Sequence, residues 1–191
     1  MKRIIVLVVA ITAMISTPSL AQEKKVQYQG EIFVSGNAAK SDIRLKLFDE
    51  IVEGTPMMYG LSVQTVQGAK FGEYFSAGIG TGLDFLSGIT KENYSLMAVI
   101  IPVYADFKFW IPTNSRVTPY IMAEAGGSFA ILPKTIHPLY GGGIGLKMTK
   151  RFAMSLNYIY DGYQFPDTED DVNVDYRYKE HKVQLRFSWI F

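Results

Sequence analysis

The chain has 191 residues, 48% of them hydrophobic and 14% aromatic, with a formal net charge of +1 and no cysteine. That length suits one domain, and a balanced charge leaves no basic footprint, so no nucleic-acid partner is expected. The missing cysteine excludes a disulfide scaffold, a thiolate metal site, a cysteine nucleophile and a lipid-bearing cysteine anchor.

Residues 1–21 have the layout of a cleaved signal peptide. Lys2 and Arg3 precede an apolar run from Ile4 to Ile15, and Ser19 and Ala21 are the small residues of a cleavage site before Gln22. The apolar run is too short for a spanning helix, which needs about 20 residues. Losing Lys2 and Arg3 takes the basic count from 19 to 17 against 18 acidic residues, a net charge of −1. Residues 22–191 then form the mature domain.

From Val26 onward the pattern has a period of two, the signature of strands with two unlike faces. The first strand is predicted over Val26 to Gly36, with Tyr28, Ile32 and Val34 on one face and Gln27, Gln29 and Glu31 on the other. A connection runs to Pro56. Within it, Ile43, Leu45 and Leu47 alternate with charged residues, while Leu47 to Val52 would also suit a helical turn. The pattern leaves a hairpin extension and a helix both open there. Strand two spans Met58 to Val66 and strand three Tyr74 to Phe85. Strand four runs from Leu96 to Ile111, with Tyr104, Asp106 and Lys108 on its polar face and Pro102 predicting a bulge or weakened pairing. Strands five to seven cover Pro119 to Ile131, Leu139 to Met148 and Phe152 to Tyr163. An acidic loop, Pro166 to Asp175, leads to the last strand, Tyr178 to Phe191.

That last strand carries the clearest pattern. Val183, Leu185, Phe187, Trp189 and Phe191 alternate with Lys182, Gln184, Arg186 and Ser188. An apolar face ending in aromatics suits a membrane interface. Eight strands make an even number, and the connections alternate long and short. The short ones fall on the side of both termini. Short periplasmic turns opposite longer extracellular loops are the arrangement of bacterial outer-membrane barrels.

The segments YFSAGIGTGLDF (74–85), IPVYADFKF (101–109), TPYIMAEAGGSF (118–129) and VQLRFSWIF (183–191) resemble the small OmpA/OmpX-type, porin-family outer-membrane β-barrels of Gram-negative bacteria. The resemblance implies an all-β fold, a closed antiparallel eight-stranded transmembrane barrel. Its partners would be outer-membrane lipid, lipopolysaccharide and the barrel assembly machinery, with the protein a monomer. In that family the closing aromatic strand is the assembly signal, a role falling here on Phe187, Trp189 and Phe191. The scaffold specifies function poorly, and any surface ligand of the loops is left unnamed.

Other chemistries fit these residues less well. The runs GIGTG (78–82) and GGGIG (141–145) lack the spacing and the following helix of a phosphate loop, so their glycines are expected to face a crowded lumen. The same glycines would make a poor solvent-facing wall, which counts against a lipocalin-like binder. A lipid-modifying barrel enzyme is the other alternative. The deacylase type carries a His-x-Ser pair, but Leu139 and Val183 stand two residues after His137 and His181. His137 is expected in a loop and His181 near the outer rim. The acidic loop lacks a calcium-loop spacing, so no metal, cofactor or catalytic residue is assigned. The expected site is a polar cluster in the lumen: Glu31, Asp106, Lys108, Glu124, Lys147 and Arg186. It is centred on an Arg186–Glu31 pair, with Lys108 and Lys147 towards the periplasm, and it would close the pore.

Overall fold

The computed structural model describes residues 26–47, 50–89, 95–131, 135–164 and 174–191. The predicted signal peptide and residues 166–173 of the acidic loop lie outside them. The described residues form nine strands: β1 (Val26–Leu47), β2 (Glu50–Gly54), β3 (Met57–Phe71), β4 (Phe75–Ile89), β5 (Ser95–Trp110), β6 (Thr118–Ala130), β7 (Thr135–Lys147), β8 (Phe152–Gln164) and β9 (Val174–Ile190). β1 and β3 to β9 pair antiparallel in sequence order, and β1 pairs with β9, so these eight strands close into a barrel.

The closure has a definite stagger. Following the register sideways from Glu31 passes through Val66, Gly80, Tyr104, Gly126, Leu139, Asp161 and Glu180. It returns to β1 at Ser41, ten residues further along. Strands in such a barrel tilt by about 40°.

The predicted faces hold. Leu61, Ile79, Ile121, Ile144, Leu156 and Leu185 point outward and are exposed, while Glu31, Ser62, Asp106, Glu124, Asn157 and Arg186 point inward and are buried. An apolar wall around a polar filling inverts a soluble barrel and suits lipid. At the end carrying the chain terminus, Phe71, Tyr74, Phe75, Phe109, Trp189 and Phe191 form an outward aromatic girdle.

Three turns lie at that end: one at Gly72, whose φ of 64° suits glycine, one over 111–117, and one over 148–151. The strands extend beyond the predicted bounds at the opposite rim. β1 continues to Leu47 and pairs with β2 from Ile43↔Gly54 to Leu47↔Glu50, so the described residues 37–47 and 50–54 extend the hairpin as strand. β7 starts at Thr135 and β9 at Val174. As a result only 90–94 separates β4 from β5 and 131–134 separates β6 from β7, both shorter than the turn over 111–117. The sorting of connections by length is therefore weaker than the sequence suggests.

Pro102 interrupts pairing without a bulge. The β4–β5 register runs to Thr81↔Val103 and resumes at Asp84↔Ile100 with the same offset. The ladder to β6 is continuous through Pro102↔Ser128.

Candidate functional site: a charged lumen in two tiers

The lumen is filled from the terminal end upward. Its floor is a cluster of Trp110, Tyr120, Met122, Ala153 and Ile190. The Trp110 and Tyr120 rings meet at a tilt of 44° with centroids 4.7 Å apart, and Trp110 Nε1 donates to Ser76 Oγ at 3.0 Å. Lys70 and Lys147 each bring an ammonium within 5.5 Å of the Trp110 ring.

The lower charged tier lies above this floor. Lys108 Nζ donates to Glu31 Oε2 at 2.7 Å and to Asp106 Oδ1 at 2.9 Å. Arg186 clamps Glu124 with two parallel bonds, Nη1 to Oε1 at 2.5 Å and Nη2 to Oε2 at 2.7 Å. Its Nε donates to Gln184 Oε1 at 2.6 Å, and its guanidinium lies 4.3 Å over the Phe33 ring. This forked geometry is what arginine supplies and lysine cannot. A pocket beside Glu31, Asp106, Lys108 and Ser76 measures about 10 Å³, room for at most about one water.

A collar of neutral groups follows. Tyr104 donates to Gln64 Oε1 at 2.7 Å, Gln184 Nε2 to Ser35 Oγ at 2.8 Å, and Asn37 Nδ2 to Ser62 Oγ at 2.5 Å. Phe33, Val66, Tyr104, Leu139 and Ile159 pack together in the interior. Tyr104 can lie across β4 to reach Gln64 on β3 because its register partner is Gly80, where any Cβ would lie 2.3 Å from the ring. Tyr120 and Gly145 repeat the arrangement lower down.

The upper charged tier sits towards the opposite rim. Lys182 Nζ donates to Asp84 Oδ2 at 2.6 Å and lies 3.9 Å from Glu180 Oε1. Gln64 Nε2 also donates to Asp84. Ser128 Oγ donates to Asp161 Oδ2 at 2.5 Å, and His137 Nδ1 lies 3.7 Å from Asp161 Oδ1.

No protein-family model and no curated protein matches the chain. Among solved structures, the outer membrane protein OprG of Pseudomonas aeruginosa superposes with a TM-score of 0.53 at 10% identity, over 85% of this chain and 95% of that one. The chain is a small eight-stranded outer-membrane β-barrel. With its apolar outer wall, that fold places it in the bacterial outer membrane. Ail, the attachment invasion locus protein of Yersinia pestis, is 17% identical at a TM-score of 0.43, covering 85% of this chain and 99% of that one. The outer membrane enzyme PagL is 11% identical at 0.47, covering 78% and 98%. These likenesses concern the fold alone.

Within this barrel, five of the six predicted lumen residues meet in the lower tier. Three expectations are corrected. Arg186 takes Glu124, and Glu31 takes Lys108, because across the β1–β9 seam Arg186 registers with Ser35 while Glu31 registers with Ile190. Lys147 stands half-buried with its ammonium over the Trp110 ring and is not a member of the hydrogen-bonded charge pairs described above. His137, expected in a loop, is inward and buried on β7. His181 is exposed on the outer face of β9, its Nδ1 2.5 Å from the Tyr158 hydroxyl. The upper tier is absent from the sequence prediction. A signal existed: Glu180 and Lys182 precede Gln184 and Arg186 at the two-residue period, and Asp84 continues Gly80 and Gly82.

Phe187, Trp189 and Phe191 all face outward. Gly30 and Phe191 exchange backbone bonds of 2.8 and 2.9 Å, and the Phe191 ring covers Gly30 and lies 6.4 Å from that of Tyr28.

Proposed function

We propose that this protein is a closed outer-membrane barrel that acts through its extracellular surface, in a structural or surface-interaction role and not as a pore or an enzyme. The observation carrying this reading is the lumen itself. Bidentate Arg186–Glu124 and the Lys108 pairs block one level, and Lys182–Asp84 blocks another. Opening a path would strip buried charges of their partners, at a cost of several kcal/mol for each pair. The tall wall of β2, β1 and β9 supports the surface role, since β1 and β9 stay paired up to Leu47↔Val174. The decisive experiment is planar-bilayer recording of the purified barrel. Silence is expected, and steady conductance overturns the closed lumen.

One observation favours a lipid-modifying enzyme as a second reading: His181 faces lipid with Tyr158 against its ring nitrogen. Mass spectrometry of lipid A from a strain lacking the protein separates the readings. Unchanged lipid A is expected.

The assembly role of the closing strand belongs to the same reading. Replacing Phe191 with Glu exposes Gly30 and puts a charge in the aromatic girdle. The expected result is a several-fold fall in folded protein at the outer membrane, read by its altered gel mobility before and after boiling. Wild-type levels would remove any special role for Phe191.

A further inference from the structure

The outer wall is not uniformly smooth. Across β6 to β9, Ile121, Ile144, Leu146, Met154, Leu156 and Leu185 line an almost wholly apolar groove of about 430 Å³. It rises from the periplasmic end to about mid-wall. Above it the outward register pair Ala123↔Gly142 adds almost no bulk, so the groove's upper end stays open. At its foot is the β7–β8 turn, which carries Lys150 and Arg151 and no acidic residue.

That turn is built, not loose. Thr149 Oγ1 accepts from the backbone N–H groups of Arg151 and Phe152 at 3.2 and 3.0 Å. The Arg151 carbonyl accepts from Ile190 N at 2.6 Å, tying the turn to β9. The Arg151 guanidinium lies 5.9 Å from the ring of Trp189, an outward residue of the aromatic girdle, and both cations are exposed.

We propose that this surface is a binding site for one phospholipid of the periplasmic leaflet, with an acyl chain in the groove and the phosphate on Lys150 and Arg151. A hydrocarbon tail on a flat wall gains contacts on one side only, whereas in a groove it gains them on several. Cations at headgroup level draw an anionic phosphate, each by about fivefold in affinity. The two features coincide at the right depth and in the right order, cations at the interface and the apolar track above. The proposal rests on the membrane placement of the barrel and is independent of whether the lumen is closed.

The test uses the purified barrel refolded in phosphatidylcholine vesicles doped with chain-brominated phosphatidylglycerol. Bromine quenches Trp189, while Trp110, enclosed in the lumen, supplies a constant background. Quenching in the wild type is expected to saturate at a low phosphatidylglycerol fraction. Lys150→Gln and Arg151→Gln should each raise the required fraction about fivefold. Ile144→Phe, which fills the groove without touching the turn, should weaken quenching with both cations present. Native mass spectrometry should find one retained phospholipid in the wild type. Quenching that follows bulk lipid composition equally in all variants overturns the site. So does loss of quenching with the turn variants alone, which would mean surface charge attraction without a seated chain. Retained detergent in place of phospholipid, or a dimer covering Trp189, would also overturn it.

Discussion

The two charged tiers of the lumen differ in how completely they are satisfied. In the lower tier Arg186 spends its fork on one carboxylate and its Nε on Gln184, and Lys108 bridges two more carboxylates. The upper tier has one tight pair, Lys182–Asp84, and two looser approaches, Lys182–Glu180 at 3.9 Å and His137–Asp161 at 3.7 Å. The lower tier also rests on a packed aromatic floor, while hydroxyls and amides share the carboxylates of the upper one. Burial does not explain the difference, since the charged groups of both tiers are almost fully enclosed. Donor chemistry does: the forked guanidinium of Arg186 and the bridging Lys108 serve three carboxylates below, whereas above a single ammonium faces Asp84 and Glu180 and neutral donors complete the set.

The largest expected effect is therefore in the lower tier. Arg186→Met or Glu124→Leu alone should destabilise the barrel by about 3–5 kcal/mol, because either leaves a buried charge without its partner. The double variant should recover most of that loss. Urea unfolding in lipid vesicles measures it, and additive losses would mean that the clamp is not a unit.

Lys182→Met should cost less, about 1–3 kcal/mol, since Asp84 keeps its bond from Gln64. A cost equal to that of Arg186→Met would erase the contrast between tiers.

The smallest effect is expected at Pro102. Pro102→Val restores a donor opposite the break in the β4–β5 ladder and should stabilise the barrel by about 0.5–1.5 kcal/mol. Amide exchange at Gly82 should slow with it; unchanged exchange would show that the gap has another cause.

The sequence makes the barrel legible because lipid outside and a packed lumen inside force a strict two-residue period on every membrane-crossing strand. Above the membrane both faces meet water, and a period of two decides less. Ile43, Leu45 and Leu47 still alternate there, but Leu47 to Val52 also suits a helical turn, so the sequence leaves 37–56 open, and it predicts β7 and β9 too short. The lumen residues were legible by parity, as Glu31, Asp106, Lys108, Glu124 and Arg186 demonstrate. Their partners were not. Counting upward from the strand ends put Arg186 level with Glu31, but the ten-residue stagger shifts neighbouring strands, so Arg186 reaches Glu124 three strands away and Lys108 reaches Glu31 across the lumen. His137 was misjudged for a different reason. It precedes Pro138, a loop signal by itself, yet β7 passes through that proline with Gly127 opposite.

The seam between β1 and β9 has a kinetic consequence. It joins the first strand to the last from Glu31↔Ile190 to Leu47↔Val174, and side chains such as Gln184 and Ser35, 149 positions apart, bond across it. No neighbouring hairpin can supply that pairing early, and contacts of such long range form slowly. Until β9 arrives, β1 and β8 each keep a bare edge open to other chains. Arg186, Lys182 and Gln184 all ride on β9, so the lumen network and the closed wall form in one late, cooperative step.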